Sequence, residues 1–203
     1  DQKRGNRHCD FSVCIGGHSV GIYKTMKILL AFILSCASCQ SALIMDGNFD
    51  FLNRNNRDGL SFTNAITISI WASKSASLGV SAELFAKGRV ADGNKALYHI
   101  RNSSGKWEFY FSAPDGTFHN FTTSSTFTDL NVLHHIVYTG QYGNSNSAQF
   151  YVDGEKVTGV WTANPVNTAA LNNTEPNRIG VSYPASFWAG GIAEISLWNT
   201  NLP

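Results

Sequence analysis

The chain has 203 residues, of which 43% are hydrophobic, 12% aromatic and 14% charged, with a formal net charge of +1. That length suits one β domain with a core and some extra N-terminal sequence, and the low charge leaves Ser, Thr, Asn and Gly to make most of its polar surface. Five of the fifteen Lys/Arg and two of the fourteen Asp/Glu precede residue 40, so ten basic residues face twelve acidic ones in the remainder, a net −2; without a basic stripe to meet phosphates, nucleic acid is excluded as the expected partner.

All four cysteines, Cys9, Cys14, Cys36 and Cys39, lie in the first 39 residues, so the rest of the chain must be held by its core rather than by disulfides. Residues 1–25 show neither helical nor strand period and begin without a methionine, and they read as sequence upstream of the true start. His8, His18 and the early cysteines match no zinc spacing. Residues 26–39 read as a secretory signal: Met26 and Lys27, the apolar run Ile28 to Leu34, then the small residues of a cleavage region. The apolar run is shorter than the roughly 20 residues that span a bilayer. Two other readings compete for it, a buried or interfacial segment and a lipoprotein box, Ile33-Leu34-Ser35-Cys36, which would lipid-anchor the chain through Cys36. The domain proper is assigned to residues 40–203.

From Ala42 onward strand-like runs recur every 8 to 15 residues or so, separated by Gly, Asn, Asp and Ser clusters, with no amphipathic helix. Ala42 to Asp46 and Phe49 to Leu52 open the series. Ala65 to Lys74 alternates Ile66, Ile68, Ile70 and Ala72 against Thr67, Ser69, Trp71 and Ser73, the pattern of a strand with one buried face. Further strands are predicted at Glu83 to Lys87, Ala96 to Arg101 and Thr117 to Thr122, and Trp107, Phe109 and Phe111 alternate against Lys106, Glu108 and Tyr110. Val132 to Thr139 and Gln149 to Val152 are β-branched and aromatic, with the polar tract Gly140 to Ser147 predicted as a flexible connection. Asp153-Gly154 then supplies the positive φ of a two-residue hairpin. Arg178 to Val181 and Gly191 to Trp198 close the series. About a dozen short strands without crossover helices predict an all-β fold, two antiparallel sheets packed as a jelly roll.

Several pieces stand in an order that resembles the laminin-G-like domains of the concanavalin A-like lectin/glucanase superfamily. They are Met45 to Phe51 (MDGNFDF), Ile66 to Trp71 (ITISIW), Phe85 to Gly88 (FAKG), the Leu133-His134-His135 triplet with Phe150 to Gly154 (FYVDG), Arg178 to Gly180 (RIG) and Gly190 to Asn199 (GGIAEISLWN). The triplet has leucine where the family pattern has tryptophan, and the chain stops at Pro203 a few residues before the family usually does. The resemblance implies a jelly roll, an extracellular setting and a glycan or cell-surface protein as partner. It also implies calcium, with Asp46, Asp50 and Glu194 in the matching regions, although Ala193 stands where the pattern often has an acid; hard oxygen ligands suit that ion.

Glucanases of the superfamily place paired carboxylates on one strand, as glycoside hydrolysis requires. Here Glu108 and Glu194 each stand alone on their strand, and the Asp46/Asp50 and Asp153/Glu155 pairs flank turn glycines, where Asp serves the turn. His134 and His135 are adjacent on a strand and point to opposite faces, while His99 and His119 are read as isolated. No catalytic residue is assigned. Sugar binding uses aromatic platforms with a few polar groups, and Tyr142, Trp161, Tyr183, Phe187 and Trp188, in sequence that reads as loops, are the candidates. The sequence therefore predicts a secreted, non-catalytic recognition module. A structural surface component that packs on a neighbour, and a polysaccharide-cleaving enzyme, are the alternatives.

Overall fold

The computed structural model describes residues 42–56, 60–75, 81–88, 96–163, 168–182 and 186–203. The upstream segment, the signal region, Cys36 and Tyr183 lie outside them. Thirteen strands are present among the described residues: β1 (Leu43–Asp46), β2 (Leu52–Arg54), β3 (Ala65–Ala72), β4 (Ser81–Lys87), β5 (Tyr98–Ser103), β6 (Lys106–Ser112), β7 (Phe118–Thr123), β8 (His134–Gln141), β9 (Asn144–Val152), β10 (Glu155–Val157), β11 (Gly159–Ala163), β12 (Asn177–Ile179) and β13 (Ala189–Trp198). They form a six-stranded sheet in the order β1-β13-β3-β8-β9-β10 and a seven-stranded sheet in the order β11-β7-β6-β5-β4-β12-β2. Every pairing is antiparallel, and the two-sheet sandwich is the jelly roll that the punctuation predicts. No described helix is long and apolar enough to cross a membrane.

Strand alternation builds the core. β3 turns Ile66, Ile68 and Ile70 inward, and β6 does the same with Trp107, Phe109 and Phe111. The sheets meet where Phe109 stacks on Tyr138 with ring centroids 3.7 Å apart, and Phe121 lies parallel to Phe150 at 6.0 Å. Lys87 is buried as well, its ammonium donating to Asn56 Oδ1 at 2.5 Å and the Glu175 carbonyl at 2.9 Å. Burial lowers its pKa, with Glu175 opposing.

Three local expectations need correction. The polar tract after Thr139 is not a flexible connection: β8 runs to Gln141, turns at Tyr142-Gly143, and β9 starts at Asn144. The Ser147 hydroxyl accepts from Gln141 N–H at 2.7 Å and donates to the Asn144 carbonyl at 2.7 Å, which closes the hairpin end. Trp161 lies in a strand, β11, rather than a loop. The second strand begins at Leu52 rather than Phe49, because Phe49 takes φ +65° and breaks the extended chain. The Asp153-Gly154 turn is as the sequence predicts, with φ of +53° and +83°.

Candidate functional site

The predicted aromatic platform divides into core and surface. Trp188 is wholly buried, 6.0 Å from Trp107, with its Nε1–H donated to the Ser73 carbonyl; it is a core residue and cannot meet a ligand. Tyr142 and Trp161 are half-buried against Phe111, and their polar atoms are spent on backbone, Tyr142 Oη on the Leu97 carbonyl and Trp161 Nε1 on that of Ser145. Burial drives the Tyr142 hydroxyl far above its ordinary range. Phe187 is different. It meets Phe49, 77% exposed, at 5.1 Å on the rim of the sandwich.

The same rim carries Asp46 and Asp50. Asp46 Oδ1 accepts from Asn48 N–H at 2.6 Å and Asp50 Oδ2 from Asp46 N–H at 3.1 Å, so each carboxylate braces the turn. Glu194 does not join them. Asp46 pairs with Ala189 and Glu194 stands five residues further along β13, on a bulge with φ +50°, on the order of 15 Å away at strand rise. These three residues do not fit a calcium ion as one donor set, and no group of three or more His, Cys, Asp or Glu among the described residues is arranged to hold a metal.

His134 and His135 do point to opposite faces. His135 stacks on Trp71 at 4.8 Å and shares a 2.7 Å hydrogen bond with Ser69 Oγ. His134 is clamped by two carboxylates, Nδ1 at 2.7 Å from Asp153 Oδ2 and Nε2 at 2.6 Å from Asp129 Oδ2. Burial pulls its pKa down, yet the hydrogen bonds and charges of the two aspartates leave it raised.

The largest polar assembly lies on the face of the seven-stranded sheet turned away from the core. Alternation puts it there: β6 sends Trp107, Phe109 and Phe111 inward and therefore Glu108, Tyr110 and Ser112 outward. Register then aligns Glu83, Arg101, Glu108, Thr122 and Val160 in one row across five strands. A second row holds His99, Tyr110 and Asn120. Arg101 Nε donates to Glu108 Oε2 at 2.6 Å, and the guanidinium carbon sits 4.5 Å from the centre of the Tyr110 ring. Tyr110 Oη donates to Glu83 Oε1 at 2.6 Å and is hydrogen-bonded by Ser182. Burial, then the Glu83 charge, raise the Tyr110 pKa so far that the phenol stays a donor. For Arg101, burial alone would lower the pKa, but the charges of Glu83, Tyr110 and Glu108 raise it.

This assembly overturns two readings from sequence. Glu108 is not alone: Glu83, which the sequence did not single out, stands two strands away across Arg101, about 10 Å between backbones at the usual strand spacing. His99 is not isolated either, lying 4.3 Å from Tyr110 with Nδ1 3.6 Å from Glu83 Oε2. His119 belongs to the core side, stacked on Phe111 at 4.9 Å. The face is closed at β4, where Glu83 is 1% exposed, and is more open at β5 and β6, where Arg101 and Glu108 keep 22% and 11% of their side-chain surface, and at β11, where Val160 and Thr162 are exposed. Four of its residues hold buried polar atoms without a hydrogen bond: Glu83 Oε2, both ring nitrogens of His99, Ser112 Oγ and Asn120 Oδ1. An unbonded buried group costs about 1–3 kcal/mol, and Glu83 Oε2 and His99 Nδ1 offset part of that cost by facing each other at 3.6 Å. The available signal was the alternation in β6, which sets Glu108 and Tyr110 off the core face.

The chain belongs to the concanavalin A-like lectin/glucanases superfamily, whose laminin-G-type family model matches residues 46–203. Its backbone is similar to the binding domain of Paraclostridial Mosquitocidal Protein 1, at 14% identity over 82% of this chain and 44% of that one, with a TM-score of 0.59. It is also similar to the CBM40 of a Ruminococcus gnavus IT-sialidase bound to alpha2,3 sialyllactose (10% identity, 81% of this chain, 92% of that one, TM-score 0.60). Domains LG4-5 of the mouse laminin alpha1 chain are a third likeness (11%, 81%, 43%, 0.57). At these identities the likeness shows the fold. The chain spans less than half of the toxin fragment and of the laminin pair. No curated protein matches it in sequence.

Proposed function

We propose that the protein is a secreted, non-catalytic recognition module that binds a glycan on the outer face of the seven-stranded sheet, where Arg101, Glu108 and Thr162 reach the surface. The observation that carries the reading is the two-row array of charged, hydroxyl and amide groups with orphaned polar atoms beneath it. Sugar hydroxyls are both donors and acceptors and suit such a surface. Membership of a lectin-bearing superfamily and the fold shared with a sialyllactose-bound domain support it. This places recognition on a sheet face rather than on the loop aromatics, of which Phe187 with Phe49 is left as a rim. The test is a glycan array probed with the full chain, with and without calcium, alongside Arg101→Ala. Glycan retention that the substitution abolishes supports the reading; retention unchanged by it moves the site elsewhere.

A second reading has its own observation. Glu83 and Glu108 flank Arg101 at a backbone spacing compatible with the acid and base of a glycosidase. Against it, Glu108 is tied to Arg101 and Glu83 is buried on Tyr110. Release of reducing ends that disappears in both Glu83→Gln and Glu108→Gln would establish it.

A further inference from the structure

Resting on the glycan-binding reading, we infer that this site takes neutral rather than acidic sugars, and that Glu108 is the residue that sets the preference. Charge and hydrogen-bonding capacity on the face set that preference. Arg101 is the fixed cation at the centre of the two rows, since Arg178 joins the second row only through Ala86, two strands beyond His99, and it is committed: Nε is bound to Glu108 Oε2 at 2.6 Å and the guanidinium plane lies against Tyr110. Glu83 and Glu108 flank Arg101 with a carboxylate on the strand to either side. Lys106 lies one row beyond Glu108, opposite Ser103, outside the pair.

What the pair has left to offer at the surface is an acceptor. Glu108 Oε1 has only a long 3.5 Å contact from Thr122 Oγ1, and beneath it Asn120 Oδ1 is without a hydrogen bond while Glu83 Oε2 faces His99 Nδ1 at 3.6 Å. Of the donors, the ring N–H of His99 and the Ser112 hydroxyl are unbonded but buried, and the Arg101 guanidinium is the charged one that reaches the surface. A ring hydroxyl can give a proton to Glu108 Oε1 and accept one from Arg101 Nη at once. A carboxylate cannot give, and it would meet Arg101 only in competition with Glu108, already at charge-assisted distance. An acidic sugar at this pair would therefore desolvate its own charge beside a second carboxylate, with the pair's one cation already committed.

The preference is tested on an array that pairs each neutral oligosaccharide with its sialylated or uronic counterpart, probed with the wild-type chain, Glu108→Gln and Thr162→Lys. The glutamine keeps the shape and frees the guanidinium. The lysine adds an uncommitted cation at an exposed position and gives up the Thr162 hydroxyl's bonds to Thr122 Oγ1 and the Asn120 carbonyl. The wild type is expected to favour the neutral member of each pair by roughly tenfold or more, about 1.4 kcal/mol, and each variant to narrow that ratio several-fold by gaining the acidic one. Wild-type retention of the acidic member over the neutral, or a ratio unmoved by either variant, overturns the inference while leaving the glycan reading intact. Retention of no glycan by the wild type defeats both.

Discussion

Phe187 and Trp188 are neighbours in sequence with opposite fates, and that contrast is where residue-scale reading stops. Both look like exposed aromatics, because the irregular run before β13 has no period to say which side is inward. The chain enters β13 through the 2.9 Å bond from Trp188 N–H to the Gly180 carbonyl, and this turns the indole onto Trp107. Trp188→Ala is expected to cost about 4 kcal/mol, the usual loss for a large buried aromatic, and Phe187→Ala less than about 1 kcal/mol, since its partner Phe49 is itself at the surface. Urea denaturation monitored by circular dichroism separates the two. His134 is a second residue-scale case. Both ring nitrogens face carboxylates, and only the imidazolium can donate to both. Its pKa is raised over the ordinary 6.5, so its contribution is full below 6.5 and fades as pH rises through the higher folded value. Asp129 is held below 3.8 chiefly by its hydrogen bond with His134, and Asp153, though burial pushes it up, is brought below 3.8 by hydrogen bonds with His134 and the His135 N–H, so their share is present above 3.8 and fades as pH falls. Stability from the clamp is thus greatest between about pH 4 and 6.5. In a pH series of melting temperatures, His134→Asn should lower the curve most inside that window and converge on the wild type at high pH; a uniform offset would show that the proton is irrelevant.

At the scale of elements, strands with a clear alternation were legible and their turns were partly so. β3 and β6 follow from period two, and Asp153-Gly154 from the φ requirement of its hairpin. β11 was missed because Gly159 to Ala163 is short and follows β10 after one residue, so its tryptophan reads as a loop aromatic. Glycine shows how much of the remainder depends on neighbours that sequence does not reveal. Gly154 and Gly190 both have positive φ, +83° and +138°. A Cβ on Gly154 meets nothing within 4 Å, whereas on Gly190 it would overlap the Ser73 carbonyl oxygen. That segment is tight because Ser73 N–H bonds the Gly191 carbonyl at 2.9 Å and Ser75 N–H that of Ala189 at 3.0 Å. Gly154→Ala is expected to cost about 1 kcal/mol, the left-handed penalty alone. Gly190→Ala should cost roughly 3 kcal/mol, because strain is joined by displacement of a β-strand end. Equal shifts in denaturation midpoint would refute the difference assigned to Ser73.

For the molecule as a whole, the jelly roll was legible because its pieces come in a fixed order along the chain, whereas the candidate site was not, because it is written across the chain. Glu83, Arg101, Glu108 and Thr122 each have an apolar or neutral residue on either side in their own strand, and only the register of four strands brings them into one row. That register is set by the other face of the same strands, where Phe109 pairs with Phe121 on β7 and with Ile100 on β5 while stacking across on Tyr138. Core and site are therefore two sides of one sheet, and a loss in the core should be felt as a loss of the whole. Phe109→Ala removes a side chain with no solvent exposure and is expected to lower stability by about 4 kcal/mol. Because Tyr138 and Phe150 of the opposite sheet close on the same ring cluster, the loss should come as one cooperative transition, with tryptophan fluorescence and far-ultraviolet circular dichroism falling at the same urea concentration. Two separate transitions would mean that the six-stranded sheet holds without its partner, and the row of Arg101 and Glu108 would then melt before the core that aligns it.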